Sequence, residues 1–200
     1  MTPLFSTAYF PPIAYVATLL QHRELLIEAK ETFPKQTYRN RMEIMTAGGV
    51  RTLTVPVLRN NHSRTEEVGI DYKERWNIIH LRTLSAAYSA SPYYLYYKDD
   101  LEHLLTRRYE KLLDLNDALL AWILQLLKAG CKIVRTEDYV KIYEPDFRNT
   151  FSPKHPYPIE NQKKYYQVFS DRLPFTPNLS IIDLLMNLGP DSKKYLNSLS

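Results

Sequence analysis

The densest group of chemically capable side chains lies in Phe33-Pro34-Lys35-Gln36-Thr37-Tyr38-Arg39-Asn40-Arg41, where three cations and two amides fall within the seven residues from Lys35 to Arg41. Such a group can hold a phosphate or a carboxylate, because arginine offers a planar two-donor fork and lysine a movable point charge. Read as a strand, the stretch puts Tyr38 and Asn40 on one face and Arg39 and Arg41 on the other. The competing account is a solvated strand face whose charges keep a sheet edge soluble.

A second group pairs Trp76 with His80, four residues apart and so on one face of a helix. Histidine titrates near neutral pH, and His80 beside an apolar wall could act as a general base; a hydrogen-bonded core histidine is the alternative. A third group, Ser91-Pro92-Tyr93-Tyr94 with Tyr96 and Tyr97, stands at a helix start. There the rings could cover a sugar or a base while the helix N-terminus attracts an anion, or they could simply pack against neighbouring helices. Asp99 and Asp100 are adjacent in that helix and point apart, so they do not form a glycosidase-like pair.

Other chemistries lose their support. The chain has no GxGxxG, no phosphate loop, no GxSxG elbow and no HExxH. No cofactor is implied. The five histidines are scattered and Cys131 is the one cysteine, so no disulfide framework and no metal cluster are expected, and a reducing, cytoplasmic setting fits best. The net charge of +4 arises from interspersed basic and acidic residues, which argues against nucleic acid as the main partner and leaves it a third reading behind a small-molecule substrate. The apolar stretch from Ile13 to Leu20 is far shorter than the roughly 20 residues that cross a bilayer.

The elements that must position these groups follow from spacing. With 200 residues and 44% hydrophobic content, the chain can bury one substantial core, and residues 1–200 are read as one domain. Residues 1–70 are strand-rich, 71–130 helical, 136–161 a long loop, and 162–200 a tail with a helix. Strands are expected over 4–10, 24–28, 37–45, 51–57, 68–70 and 132–134, with Ala47-Gly48-Gly49 as a hairpin turn and 58–67 as a polar loop. Helices are expected from Pro12 through Leu20, then over 72–90 with Asp71 as N-cap, 92–108, and 114–128 with Gly130 as a left-handed cap. Ser180 should cap a last helix, with Asp183 at N3 satisfying free amide hydrogens and Gly189-Pro190 stopping it. The fold class expected is α+β, a mainly antiparallel N-terminal sheet packed against a helical layer.

Taken in order, these motifs resemble the WbqC-like family. The resemblance runs through Tyr9-Phe10-Pro11-Pro12, the Phe33 to Arg41 stretch, Leu53-Thr54-Val55-Pro56-Val57, Trp76 to His80, Tyr88 with Ser91-Pro92-Tyr93-Tyr94, and Leu115-Asn116. It ends in Tyr166-Gln167-Val168-Phe169 and Asn178 to Leu185, so it covers nearly the whole chain. It implies a cytoplasmic bacterial protein of cell-surface polysaccharide synthesis, O-antigen included, acting on an activated, nucleotide-linked sugar. The chain looks like the Bacteroidetes-type branch. Many members carry His-Gln-Pro where this chain has Phe5-Ser6-Thr7-Ala8, and paired aspartates where it has Glu28-Ala29-Lys30-Glu31, with Glu28 the nearest acidic replacement.

Two readings remain from the sequence. In the first, the protein is a transferase-type enzyme in which Lys35, Arg39 and Arg41 hold an anionic donor, Tyr38 and Asn40 orient it with Tyr9 and Trp76 alongside, and His80 or Glu28 moves a proton. In the second, it is a ligand-binding or scaffold protein of the same fold that lost its chemistry with the His-Gln pair.

Overall fold

The computed structural model describes residues 1–154, 157 and 162–199. At its centre β1 (Leu4–Ser6), β2 (Glu24–Glu28) and β7 (Lys132–Arg135) pair side by side, and both pairings are parallel. The expected mainly antiparallel sheet is therefore corrected. Antiparallel pairing is confined to two small ladders, β3 (Arg41–Thr46) with β4 (Gly49–Thr54), and β5 (Val57–Leu58) with β6 (Gly69–Ile70).

The reason is the connection. A parallel pair needs a crossover, and helix α1 (Ile13–Leu19) supplies one between β1 and β2. The larger crossover from β2 to β7 carries α2 (Trp76–Tyr88), α3 (Tyr94–Thr106) and α4 (Leu112–Leu126). All three residues of β1 are buried, as are Leu25, Ile27 and Glu28 in β2, which is how a covered parallel strand reads rather than as clean alternation.

Local chemistry moves several expected bounds. Gln36 adopts a left-handed φ of 58°, so the chain turns after Pro34 and β3 begins at Arg41 instead of Thr37. Asp71 does not cap α2; its carboxylate accepts from the Lys73 amide in a local turn, and α2 starts at Trp76. The left-handed residue after α4 is Lys128, with φ 49°, and not Gly130. At the β3–β4 turn Gly49 has φ 99°, where a side chain would be strained.

Past β7 the chain forms no regular element over 136–154; the remainder of the expected 136–161 loop lies outside the described residues, apart from Tyr157. This segment still docks on the sheet. Leu4 N donates to Pro145 O at 3.0 Å and Phe147 N donates to Leu4 O at 2.7 Å, while Phe147 stacks on Phe5 with ring centroids 4.9 Å apart. Residues 146–148 are thereby held against the end of β1. The C-terminal α5 (Ile181–Leu188) has the expected Ser180 cap, whose oxygen accepts from Ile182 N at 3.3 Å, and α6 (Ser192–Asn197) follows. One apolar cluster, from Phe5 to Leu196, joins sheet and helices. Among the described residues no helix is long and apolar enough to cross a membrane.

Candidate functional site

In open parallel sheets, ligands settle beyond the carboxyl ends of the strands, where the chain leaves for its crossovers. Here β1 ends at Ser6 beside Glu28, the last residue of β2, and β7 ends one step along at Arg135 before Thr136. Glu28 is fully buried. Its Oε1 accepts from Thr136 Oγ1 at 2.8 Å and from Lys30 N at 2.9 Å, and its Oε2 accepts from Arg148 Nη1 at 3.0 Å.

Arg148 is 5% exposed and crosses between segments. Its Nε donates to both Asp146 oxygens at 3.0 Å, its Nη2 donates to Asp146 Oδ2 at 2.6 Å, and its Nη1 also donates to Val140 O at 2.9 Å. Hydrogen bonds to Asp146 hold Arg148 firmly protonated. Burial alone would raise the Asp146 carboxyl, but the Arg148 contacts outweigh it and lower it. The Tyr139 ring lies 5.4 Å from the guanidinium carbon, so the arginine also fixes the loop after β7.

A second buried pair sits beside the first. Arg39 Nε donates to Glu31 Oε1 at 2.7 Å, and Arg39 Nη2 donates to Arg148 O at 3.2 Å. Asn116 on α4 donates through Nδ2 to Arg39 O at 2.8 Å and to Thr7 Oγ1 at 3.0 Å; its own Oδ1 is buried without a partner. Burial raises the Glu31 carboxyl despite the opposing pull of Arg39. Its Oε2 has no hydrogen-bond partner among the described residues, and Glu31 lines a cavity of about 480 Å³ with Lys30, Thr32, His62, Arg64 and Tyr139. That volume falls in the range of small-molecule sites, roughly 300–1,000 Å³. Lys30 is steadied by Glu66 at 2.8 Å.

The residues nominated from sequence separate into groups. Glu28 and Arg39 belong to the edge network just described. Tyr9, Trp76 and His80 form an aromatic group: Tyr9 OH lies 2.9 Å from His80 Nδ1, and the Trp76 and His80 ring centroids are 5.1 Å apart. Burial, with a contribution from the Arg51 charge and against the Thr54 backbone, lowers His80 to about 4. The imidazole is therefore neutral at pH 7, and it is 3% exposed. Trp76 Nε1 is buried without a partner.

The Lys35 to Arg41 cluster is not one surface. Lys35 is exposed and Arg39 is buried. Tyr38 OH donates to Glu43 Oε2 at 3.1 Å, and Asn40 Nδ2 donates to Val55 O at 2.9 Å. Arg41 is half-buried with Nε unpartnered. The backbone link from Tyr9 N to Tyr38 O, 2.8 Å, joins the aromatic group to this turn.

Sequence reasoning passed over Glu31, Arg64, Tyr139 and Arg148. Glu31 lay within the Glu28-Ala29-Lys30-Glu31 segment and could have been weighed with Glu28. Arg148 and Tyr139 sit in a stretch without periodicity and carried no signal. Among the described residues no group of three or more His, Cys, Asp or Glu side chains is placed to hold a metal ion.

Comparison with known proteins adds a family and one relative. The WbqC-like protein family matches the chain over residues 7–150 and 155–195. A protein of Mycobacterium tuberculosis described as Uncharacterized protein Rv1507c is 26% identical over 220 aligned positions, which cover 94% of this chain and 91% of the relative. No solved structure matches.

Proposed function

The chain belongs to the WbqC-like protein family, and on that premise we propose that it is a transferase-type enzyme that takes a phosphate-bearing activated sugar, nucleotide-linked, at the carboxyl edge of its parallel sheet. Synthesis of cell-surface polysaccharide is the setting this proposal carries. One observation bears most of its weight. Glu31 is a buried carboxylate with one oxygen on Arg39 and the other without a hydrogen-bond partner among the described residues, and it lines a cavity together with Lys30, His62 and Arg64.

The chemistry follows from that placement. Arg64 and Lys30 attract the phosphates of the donor, and the 53% exposed Tyr139 offers a ring face to its sugar or base. A carboxylate with a raised pKa takes a proton better than an ordinary one, so Glu31 accepts the proton of an attacking hydroxyl or amine as the bond to the leaving phosphate breaks. Arg39 positions Glu31, and Arg148 positions both Tyr139 and Glu28. Tyr9 supports the turn that carries Arg39, its amide donating to Tyr38 O at 2.8 Å, and Trp76 packs behind Tyr9.

A second reading has its own observation. Both oxygens of Glu28 are engaged and His80 is neutral and enclosed, so the two proton carriers nominated from sequence are fully occupied in holding the fold. A protein that binds the same ligand without turning it over fits that fact. Thermal shifts against nucleotide-sugars, nucleotides and acyl donors test both, because a ligand of the folded state raises the melting temperature. The enzyme reading expects a hit whose turnover is lost in Glu31→Gln. A hit without turnover in the wild type selects the binding reading, and silence across the panel defeats both.

A further inference from the structure

A second cavity, of about 320 Å³, lies between the tip of the β3–β4 hairpin and the outer face of α2. Arg51 reaches it from β4 and Arg82 from α2, and both are exposed. Among the described residues neither guanidinium has a carboxylate in an ion pair or an aromatic ring beneath it. No acidic residue lines the cavity, so two like charges share one groove without a counter-charge.

The rest of the lining narrows what could enter. Thr83 Oγ1 donates to Ile79 O at 2.8 Å, and Thr46 Oγ1 donates to Gly49 O at 2.8 Å, so both hydroxyl protons are used within their own elements. Ala47, Ala86 and Ala87 add only methyl groups. The guanidinium N–H groups are thus the side-chain donors left for a ligand, which selects for negative charge over neutral hydroxyls. A single fork satisfies a carboxylate, whereas two forks from different elements suit a tetrahedral group with more oxygens. The field of Arg51 already reaches inward, where it helps keep His80 unprotonated, as an unneutralised cation would.

We propose that this groove is a binding site for a small phosphate-type dianion, gripped by Arg51 and Arg82 and distinct from the cavity on Glu31. The assignment stands independently of the transferase reading, since it uses no residue of the sheet edge. The groove is large enough for a phosphate and a small substituent, and too short a cationic stretch to track a polynucleotide.

Calorimetric titration of pyrophosphate and inorganic phosphate into the full chain, with malonate as a dicarboxylate control, tests it. The wild type should bind pyrophosphate saturably and more tightly than malonate. Arg51→Gln with Arg82→Gln should weaken that binding at least tenfold, while Arg64→Ala, which alters the other cavity, leaves this component in place. Ala86→Phe keeps both charges and fills the groove, so it should abolish binding as well; circular dichroism checks that each variant is folded. Absence of saturable binding in the wild type overturns the proposal. So does binding that survives Ala86→Phe combined with Arg64→Ala, which would mean diffuse attraction to the surface, and so does a wild type that retains an oligonucleotide through these arginines but ignores pyrophosphate.

Discussion

Two buried carboxylates, Asp183 and Glu31, occupy opposite circumstances. Asp183, wholly buried on α5, accepts from Tyr88 OH at 2.9 Å, Tyr165 OH at 2.6 Å and Gln167 Nε2 at 3.1 Å. Those donors are neutral, they come from two parts of the chain, and both oxygens are taken. Glu31 is less deeply buried, at 9% exposed, and has one partner, Arg39, and a place in the wall of a cavity. Burial raises both carboxyls, yet only one has room for a ligand. A saturated buried carboxylate ties segments together; an unsaturated one at a strand end is poised to bind or move something.

The largest effect that could break this contrast is expected at the ion pair behind Glu31. Arg148→Met removes the cation from Glu28 Oε2 while Glu28 stays buried, and an uncompensated buried charge costs about 3–5 kcal/mol. Urea denaturation measures this. A loss under about 1 kcal/mol would mean that the network holds little, and that the sheet edge resembles an ordinary surface.

Acid titration gives the next effect. His80 is lowered to about 4 from its ordinary 6.5, so between those values the unfolded chain binds more protons than the native one, and stability is lost as pH falls from 6.5 toward 4. The limiting loss is roughly 3 kcal/mol, at about 1.4 kcal/mol per unit. Glu31 and Asp183 act in the opposite sense, because raised carboxyls take up protons first in the native state and so favour it as pH falls. Stability against pH for the wild type and His80→Asn separates these contributions; an unchanged acid limb in His80→Asn would remove His80 as its cause.

A smaller loss is expected for Asp183→Asn, which turns one acceptor into a donor facing Tyr or Gln donors and should cost about 1–3 kcal/mol. If Asp183 is purely a tie, ligand affinity below the melting temperature stays the same. The smallest stability change is expected for Arg64→Ala, within about 0.5 kcal/mol, since the side chain is exposed.

How far all this could be read from the sequence depended on range. The hairpin glycine and the Ser180 cap rest on contacts within a few residues, and β2 shows as a short apolar run in its own sequence; all three are found as expected. Asp183 was expected to serve the amides of its own helix, but partners far along the chain take its oxygens. The parallel sheet depends on β7, more than 100 residues beyond β2, and Arg148 and Glu28 are 120 positions apart. No periodicity encodes such pairings. The Lys35 to Arg41 cluster looked like one cationic face because strand alternation was assumed across it. Residues 35–40 instead form bends and a turn that include a left-handed Gln36, the strand starts only at Arg41, and the cations went to three different places.

The most direct test takes the tightest nucleotide-sugar or nucleotide from the thermal-shift panel and measures its Kd by calorimetry for the wild type, Arg64→Ala and Asp183→Asn. The account predicts at least a tenfold weaker Kd for Arg64→Ala and an unchanged Kd for Asp183→Asn. Equal affinity in the wild type and Arg64→Ala would contradict it, and would move the ligand away from the carboxyl edge of the sheet.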